Sequence, residues 1–262
     1  MPSRLLTALA ALLAGAAVMV SGAARADVTV MMSGGFALAY QELLPEFERR
    51  TGVKAVTTSG ASQGAGPTTI RAQIERGARP DVVILSREGL DELIAAGRIV
   101  AGSEVGLAST PLGAAVRAGS PRPDLGTVDA LRASLLKARL VSMPGSTSGL
   151  FIWDDVLPRL GIADRVSLRV TARGIKSTAM LAAGESDIAL GPVSELVGQP
   201  GIDYVGPLPD EVQLVQEFTA AVVQGSSRAE EARRLIAYLA SGEAAAAVKR
   251  AGMEPVGGPQ AR

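Results

Sequence analysis

From Val28 onward the chain alternates short β-branched runs with stretches of helical periodicity, and that alternation leaves few folds open. Strand–helix–strand repeats pair their strands in parallel, and such sheets need helices on both faces. The pattern predicts a strand over residues 28–32 and an amphipathic helix over 36–50, with Leu43, Leu44 and Phe47 on its apolar side and Gly52 as its stop. A strand at 53–58, a helix at 68–76 closed by Gly77, a strand at 82–85 and a helix at 88–96 ending at Gly97 continue the series. Residues 105–116 are a long extended stretch interrupted by Pro111 and Gly113, followed by a helix capped by Thr127 and running to 137.

A second series then begins. Strands are predicted at 140–142, 166–170, 188–190 and 202–205, with helices at 149–160 and 176–183 between them. Another long extended run covers 212–223, and two Ala-rich helices, 228–240 and 243–250, finish the chain. Two long crossings thus bracket the middle of the sequence. The simplest arrangement is an α/β protein of two lobes, 27–110 with 218–262 in one and 111–217 in the other. Two hinge strands join them and a ligand cleft lies between. The competing arrangement is a single continuous sheet with one long excursion.

The first 26 residues stand apart. Arg4 precedes an apolar stretch from Leu5 to Val20, and Ala24-Arg25-Ala26 offers the small-x-small pattern of a cleaved export signal. A membrane anchor is the other reading, but the stretch is shorter than the roughly 20 residues a span requires. The expected location is therefore the periplasm. The 26 basic and 26 acidic side chains balance, and no basic run suggests a nucleic-acid partner.

The residue types that are missing narrow the chemistry. With no Cys the chain has no disulfide, thiol nucleophile or thiolate metal site. With no His it has no Ser-His-Asp triad, imidazole base or imidazole-ligated zinc. No cofactor or metal is expected, and acidic pairs such as Asp154-Asp155 read as solubilising charge.

Ligands of open α/β sheets sit beyond the carboxyl ends of strands, where loop amides point outward. Four loops have that position. Ser33-Gly34-Gly35 follows the first strand. The small-residue loop 59–66 includes Ser62 and Gln63 but lacks the Gly-Lys-Ser of a phosphate-binding loop. In the second half, 145–149 contains Thr147, Ser148 and Gly149, and 173–177 contains Ile175 and Lys176. Lys176 is a candidate charge for a carboxylate, or a plain solvated lysine. Trp153 reads as a core residue.

Several segments carry a resemblance. Val28-Thr29-Val30, the helix end Phe47-Glu48-Arg49-Arg50-Thr51-Gly52-Val53, the run from Gln73 to Val82, Gly184-Glu185-Ser186-Asp187-Ile188-Ala189 and the close through Ala251-Gly252-Met253-Glu254-Pro255 resemble the molybdate-binding branch of type II periplasmic solute-binding proteins. The resemblance spans essentially the whole chain after residue 26. It implies a two-lobed periplasmic-binding-protein fold that closes on a small anionic ligand, works as a monomer, and delivers its load to an inner-membrane ABC permease. Carried over by position, the family's first oxyanion-binding serine falls at Gly35 and its second at Ser62. Its amide donors fall at Ser148 or Gly149 and at Ile175, and its binding tyrosine at Pro192. Gly35 has no hydroxyl, and Pro192 has neither hydroxyl nor N–H. The expected guest is therefore a small anion, either a molybdate-like oxyanion or a small organic carboxylate, with an anion other than molybdate itself favoured. Two rival readings have different consequences: an exported enzyme in which Lys176 activates Ser148, and a sensory receptor of the same fold.

Overall fold

β1 (Val28–Met32) is the strand around which the first half assembles, in a computed structural model that describes residues 27–256. The proposed export signal lies outside the described residues. α1 (Ala37–Thr51) follows a short turn over Gly34–Phe36, and β2 (Ala55–Ser59), α2 (Ile70–Glu75), β3 (Val82–Ser86) and α3 (Arg87–Ala95) complete the first series. β4 (Val105–Arg117) then crosses to the second half, where α4 (Val128–Lys137), β5 (Val141–Pro144), α5 (Thr147–Phe151), α6 (Leu157–Arg159), β6 (Leu168–Thr171), α7 (Gly174–Ala182), β7 (Ile188–Pro192), α8 (Val193–Leu196) and β8 (Ile202–Pro207) follow. β9 (Val215–Val222) crosses back, and α9 (Ala229–Leu239), α10 (Ala245–Arg250) and β10 (Glu254–Pro255) close the chain.

Local chemistry sets several of these boundaries. The side chains of Thr69, Ser86 and Thr127 accept the amides of Ala72, Gly89 and Ala130 and so cap α2, α3 and α4. The single helix expected over 149–160 is interrupted: residues Ile152–Val156 form a wider π turn, with the Leu157 amide reaching back to the carbonyl of Ile152. Pro158 lacks the N–H that regular winding would require at that point. This segment leaves Trp153 50 % exposed, which corrects its expected core role. The four-residue α8 and the two-residue β10 have no counterpart in the sequence reading, being too short to show a period.

Strand order is β2-β1-β3-β9-β4-β7-β5-β6, with β8 and β10 also paired to β4. β1 is parallel to β2 and β3, and β5 is parallel to β6 and β7. The amino-terminal part of β4 pairs antiparallel with β9 as far as Pro111 opposite Val215, and its remainder pairs with β7 and β8 from Leu112 onward. The hydrogen-bonded ladder is therefore continuous, while the apolar cores are separate.

Alternation along the strands builds those cores. Val30, Met32, Val82, Ile84, Ala220 and Val222 pack with Phe36, Tyr40 and α9 on one face. Met31, Val83, Leu85 and Ala221 pack with Ile70, Leu90 and Leu93 on the other. A second pair of clusters centres on Leu112, Val141, Met143 and Leu190 on one side and on Ala115, Leu181 and Ala189 on the other. Each large apolar side chain fully buried this way contributes about 1.5–3 kcal/mol. Buried Asp81 ties three elements together. Its carboxylate accepts the amide and hydroxyl of Thr29 at 2.8 and 2.7 Å and the hydroxyl of Ser226 at 2.7 Å.

Candidate functional site

Parallel pairing brings the carboxyl ends of β1 and β2 in one lobe and of β5, β6 and β7 in the other toward a common cleft. Ser33, Gly34, Gly60, Ala61 and Ser62 line it from the first lobe, with Gln216 and Phe218 from β9. Pro144, Ser146, Ser148, Arg173, Gly174, Pro192 and Glu195 line it from the second. About 20 Å³ of free space remains between them, room for roughly one water molecule, so a larger guest requires the lobes to part.

Bonds across the cleft hold this closed arrangement. The hydroxyls of Ser86 and Thr147 meet at 2.7 Å, Arg173 Nη1 donates to Ser59 Oγ at 2.7 Å, and the Gln63 amide donates to Ser146 Oγ at 3.3 Å. Ser62 Oγ accepts the amide of Ser86 at 3.0 Å. Other lining groups have no partner. Ser33 Oγ, Gln216 Oε1 and Arg173 Nε are buried without a hydrogen bond among the described residues. Buried polar atoms are nearly always paired, and three unpaired ones around one small space single it out as the candidate site.

Glu195 is the least expected member. It projects from α8, which begins directly after β7, and its carboxyl packs against the backbone of both lobes. A Cβ at Gly34 would lie 2.4 Å from Glu195 Oε1, and one at Gly174 would lie 1.6 Å from Oε2. A side chain at either position would have to displace the Glu195 carboxyl from where it lies. The residue keeps part of its surface exposed, but no hydrogen bond reaches its carboxyl among the described residues. Burial pushes its pKa up to about 7, against the opposing pull of the Arg173 guanidinium.

The residues singled out from the sequence fall into two groups. Ser33, Gly34, Ser62, Ser148 and Pro192 line the cleft. Gly35 lies behind it, because the Phe218 ring fills the space: a Cβ at Gly35 would stand 1.8 Å from the ring. Gln63 turns its side chain outward to Glu92 Oε1 at 2.7 Å, and Thr147 is engaged with Ser86. Gly149 packs on the carbonyl of Pro144, at 1.6 Å from a would-be Cβ. Ile175 is 61 % exposed and borders an adjoining depression. Lys176 is solvent-exposed while Ser148 is buried, and no hydrogen bond joins them among the described residues. Sequence reasoning missed Glu195, Gln216 and Phe218 and passed over Arg173, although its loop had been identified.

A larger concavity, about 590 Å³, lies at the opposite, amino ends of β5 and β7 and is lined by Arg117, Lys137, Arg139, Ser186 and Asp187. Two of its polar pairs are already made: Arg139 pairs with Asp187, and Ser186 with Ser142. The smaller cleft, with its unpartnered atoms, is the better candidate. No group of three or more His, Cys, Asp or Glu side chains that could hold a metal occurs among the described residues. None of the described helices is long and apolar enough to cross a membrane.

Two α/β lobes joined by crossing strands, with strand-end loops converging on a small interlobe cleft, define the class of two-lobed periplasmic binding proteins. The chain belongs to the bacterial extracellular solute-binding protein family, whose model matches residues 28–254. It is 35 % identical over 252 residues to an aconitate isomerase from Pseudomonas sp., covering 95 % of each chain. The fold is shared with the periplasmic molybdate-binding protein of Azotobacter vinelandii, at a TM-score of 0.69 and 19 % identity over 87 % of this chain and 98 % of that one. It is also shared with a periplasmic binding protein from A. tumefaciens solved with agropinic acid, at a TM-score of 0.63 and 17 % identity over 88 % and 83 % of the two chains.

Proposed function

We propose that this protein captures a small organic polycarboxylate of the aconitate type in the interlobe cleft, the lobes parting to admit it and closing over it. The observation that carries this reading is the set of buried, unpartnered Ser33 Oγ, Gln216 Oε1 and Arg173 Nε around one cleft that also presents the Phe218 ring. Arg173 supplies the charge and fork geometry that suit a carboxylate. Phe218 supplies an apolar wall that suits a carbon skeleton and does nothing for a bare tetrahedral oxyanion. Because that ring takes the space beside Gly35, the hydroxyl that molybdate binders place there has nowhere to go. Export through a cleaved signal at residues 1–26, action as a monomer and an inner-membrane ABC permease as partner complete the receptor reading.

A second reading is favoured by one specific observation, the 35 % identity to a protein named aconitate isomerase over 95 % of both chains. In that reading the guest is converted while it is held. Receptor and enzyme share the same first step.

A thermal-shift series with cis-aconitate, trans-aconitate, citrate, molybdate and sulfate tests the ligand class. A polycarboxylate at 100 times its Kd adds about 2.7 kcal/mol of stability, which raises Tm by roughly 5–10 °C in a chain of this size. A shift with molybdate or sulfate and none with the polycarboxylates would refute the proposal.

A further inference from the structure

We propose that Glu195 is a proton carrier facing the guest, moving one hydrogen between the two ends of the allylic system of a bound unsaturated polycarboxylate. This rests on the reading that the cleft takes such a compound.

The geometry separates Glu195 from a structural acid. Asp81 receives three hydrogen bonds, and Asp187 is paired with Arg139. Glu195 lines the cleft with no hydrogen bond to its carboxyl among the described residues, and two glycines on opposite lobes leave the space it occupies. When the lobes close, the carboxyl is thus held between Gly34 and Gly174 beside whatever the cleft contains. Among the described residues, Glu195 and Arg173 are the only ionisable side chains that line the cleft or the adjoining depression bordered by Leu38, Gln41 and Ile175. With no His and no Cys in the chain, no other familiar proton-transfer group faces the guest. A carboxyl that titrates near 7 is populated in both forms at neutral pH, as a group that must first take and then return a proton requires.

The step balances without a co-reactant. Ionised Glu195 takes a proton from the methylene carbon beside the double bond, and the electron pair of that C–H bond forms the new C=C bond. The pair of the old double bond moves to the far carbon, which receives the proton back from Glu195. One C–H bond breaks and one forms, with oxidation level and charge unchanged. Charge that builds up on the guest's carboxylates in between is met by Arg173. In aconitate both terminal carbons carry a carboxylate, so the product is aconitate again, with the geometry of its double bond open to change.

The test is proton NMR of cis-aconitate in D₂O with the protein, alongside calorimetry. Wild type is expected to bind cis-aconitate, form trans-aconitate and exchange methylene hydrogen. Glu195→Gln is expected to bind within several-fold of wild type but to lose at least about 100-fold in isomerisation and exchange. Glu195→Asp keeps a measurable rate, which rises with pH through neutrality and then levels, a profile that a merely structural role would not produce. Thermal melts of both variants establish that they are folded. Isomerisation by Glu195→Gln at the wild-type rate overturns the proposal, as does wild-type binding with neither isomerisation nor exchange. If the wild type binds no aconitate, the polycarboxylate reading itself fails, and the proton-carrier proposal with it.

Discussion

Phe218 occupies the space that any side chain at Gly35 would need, its Cζ standing 1.8 Å from the position of a Cβ there. Both residues are buried, so neither can move aside into solvent. Gly35→Ser is expected to destabilise the protein by about 1–3 kcal/mol through overpacking. Combined with Phe218→Ala, its cost should be smaller than when introduced alone, because the obstacle is gone. Urea unfolding of the two single variants and the double variant measures that coupling, and strict additivity would contradict the packing argument.

Glu195 holds its proton up to about 7 in the fold, against 4.5 for an ordinary glutamate. Between those values the native state binds a proton that the unfolded chain has released, so stability falls as pH rises across that window. The penalty is absent below it and complete above it. Glu195→Gln should therefore gain stability over wild type at pH 8 relative to pH 4, by on the order of 1 kcal/mol given its partial solvent contact. Thermal melts at the two pH values check this, and an equal difference at both would count against the buried carboxyl.

Arg173 joins Ser59 across the cleft while leaving its Nε unpartnered. Arg173→Ala should weaken polycarboxylate binding by roughly 10- to 100-fold, the loss of a charged hydrogen bond of about 1.5–3 kcal/mol. Ser59→Ala removes only the bond between the lobes and should change affinity much less. Calorimetry on the two variants separates contact with the guest from closure of the lobes.

Asp81 illustrates how a polar group supports the core. Asp81→Ala leaves the Thr29 amide and the hydroxyls of Thr29 and Ser226 without their acceptor. The expected loss is about 2–4 kcal/mol by chemical denaturation. Asp187→Ala at the partly exposed pair with Arg139 should cost less than about 1 kcal/mol.

The legible parts of this molecule are those with a period. β1, β3 and the helices between them follow from alternating or 3.6-residue apolar spacing, and Thr127 announces α4 by its capping side chain. The strand-end loops were legible too, because Ser, Gly and Thr cluster where strands stop. Glu195 was not. It sits on a four-residue helix too short for any period, three positions past Pro192, which drew notice only for what it lacks. Phe218 and Gln216 were hidden for another reason: β9 returns from the other lobe, and nothing local to those residues says that it passes beside Gly35. Trp153 misled because a lone tryptophan in an apolar helix suggests burial, whereas the π turn leaves it half exposed.

The unbroken ladder through β4 has a mechanical consequence. Lobes tethered by loose linkers can swing apart freely, but here both grip one long strand, β4, which changes partners between Pro111 and Leu112. Parting them must twist or shear a hydrogen-bonded ribbon. Such a ribbon resists deformation as a leaf spring does, so the stiffness of this crossing opposes the parting that the proposed capture of a guest requires.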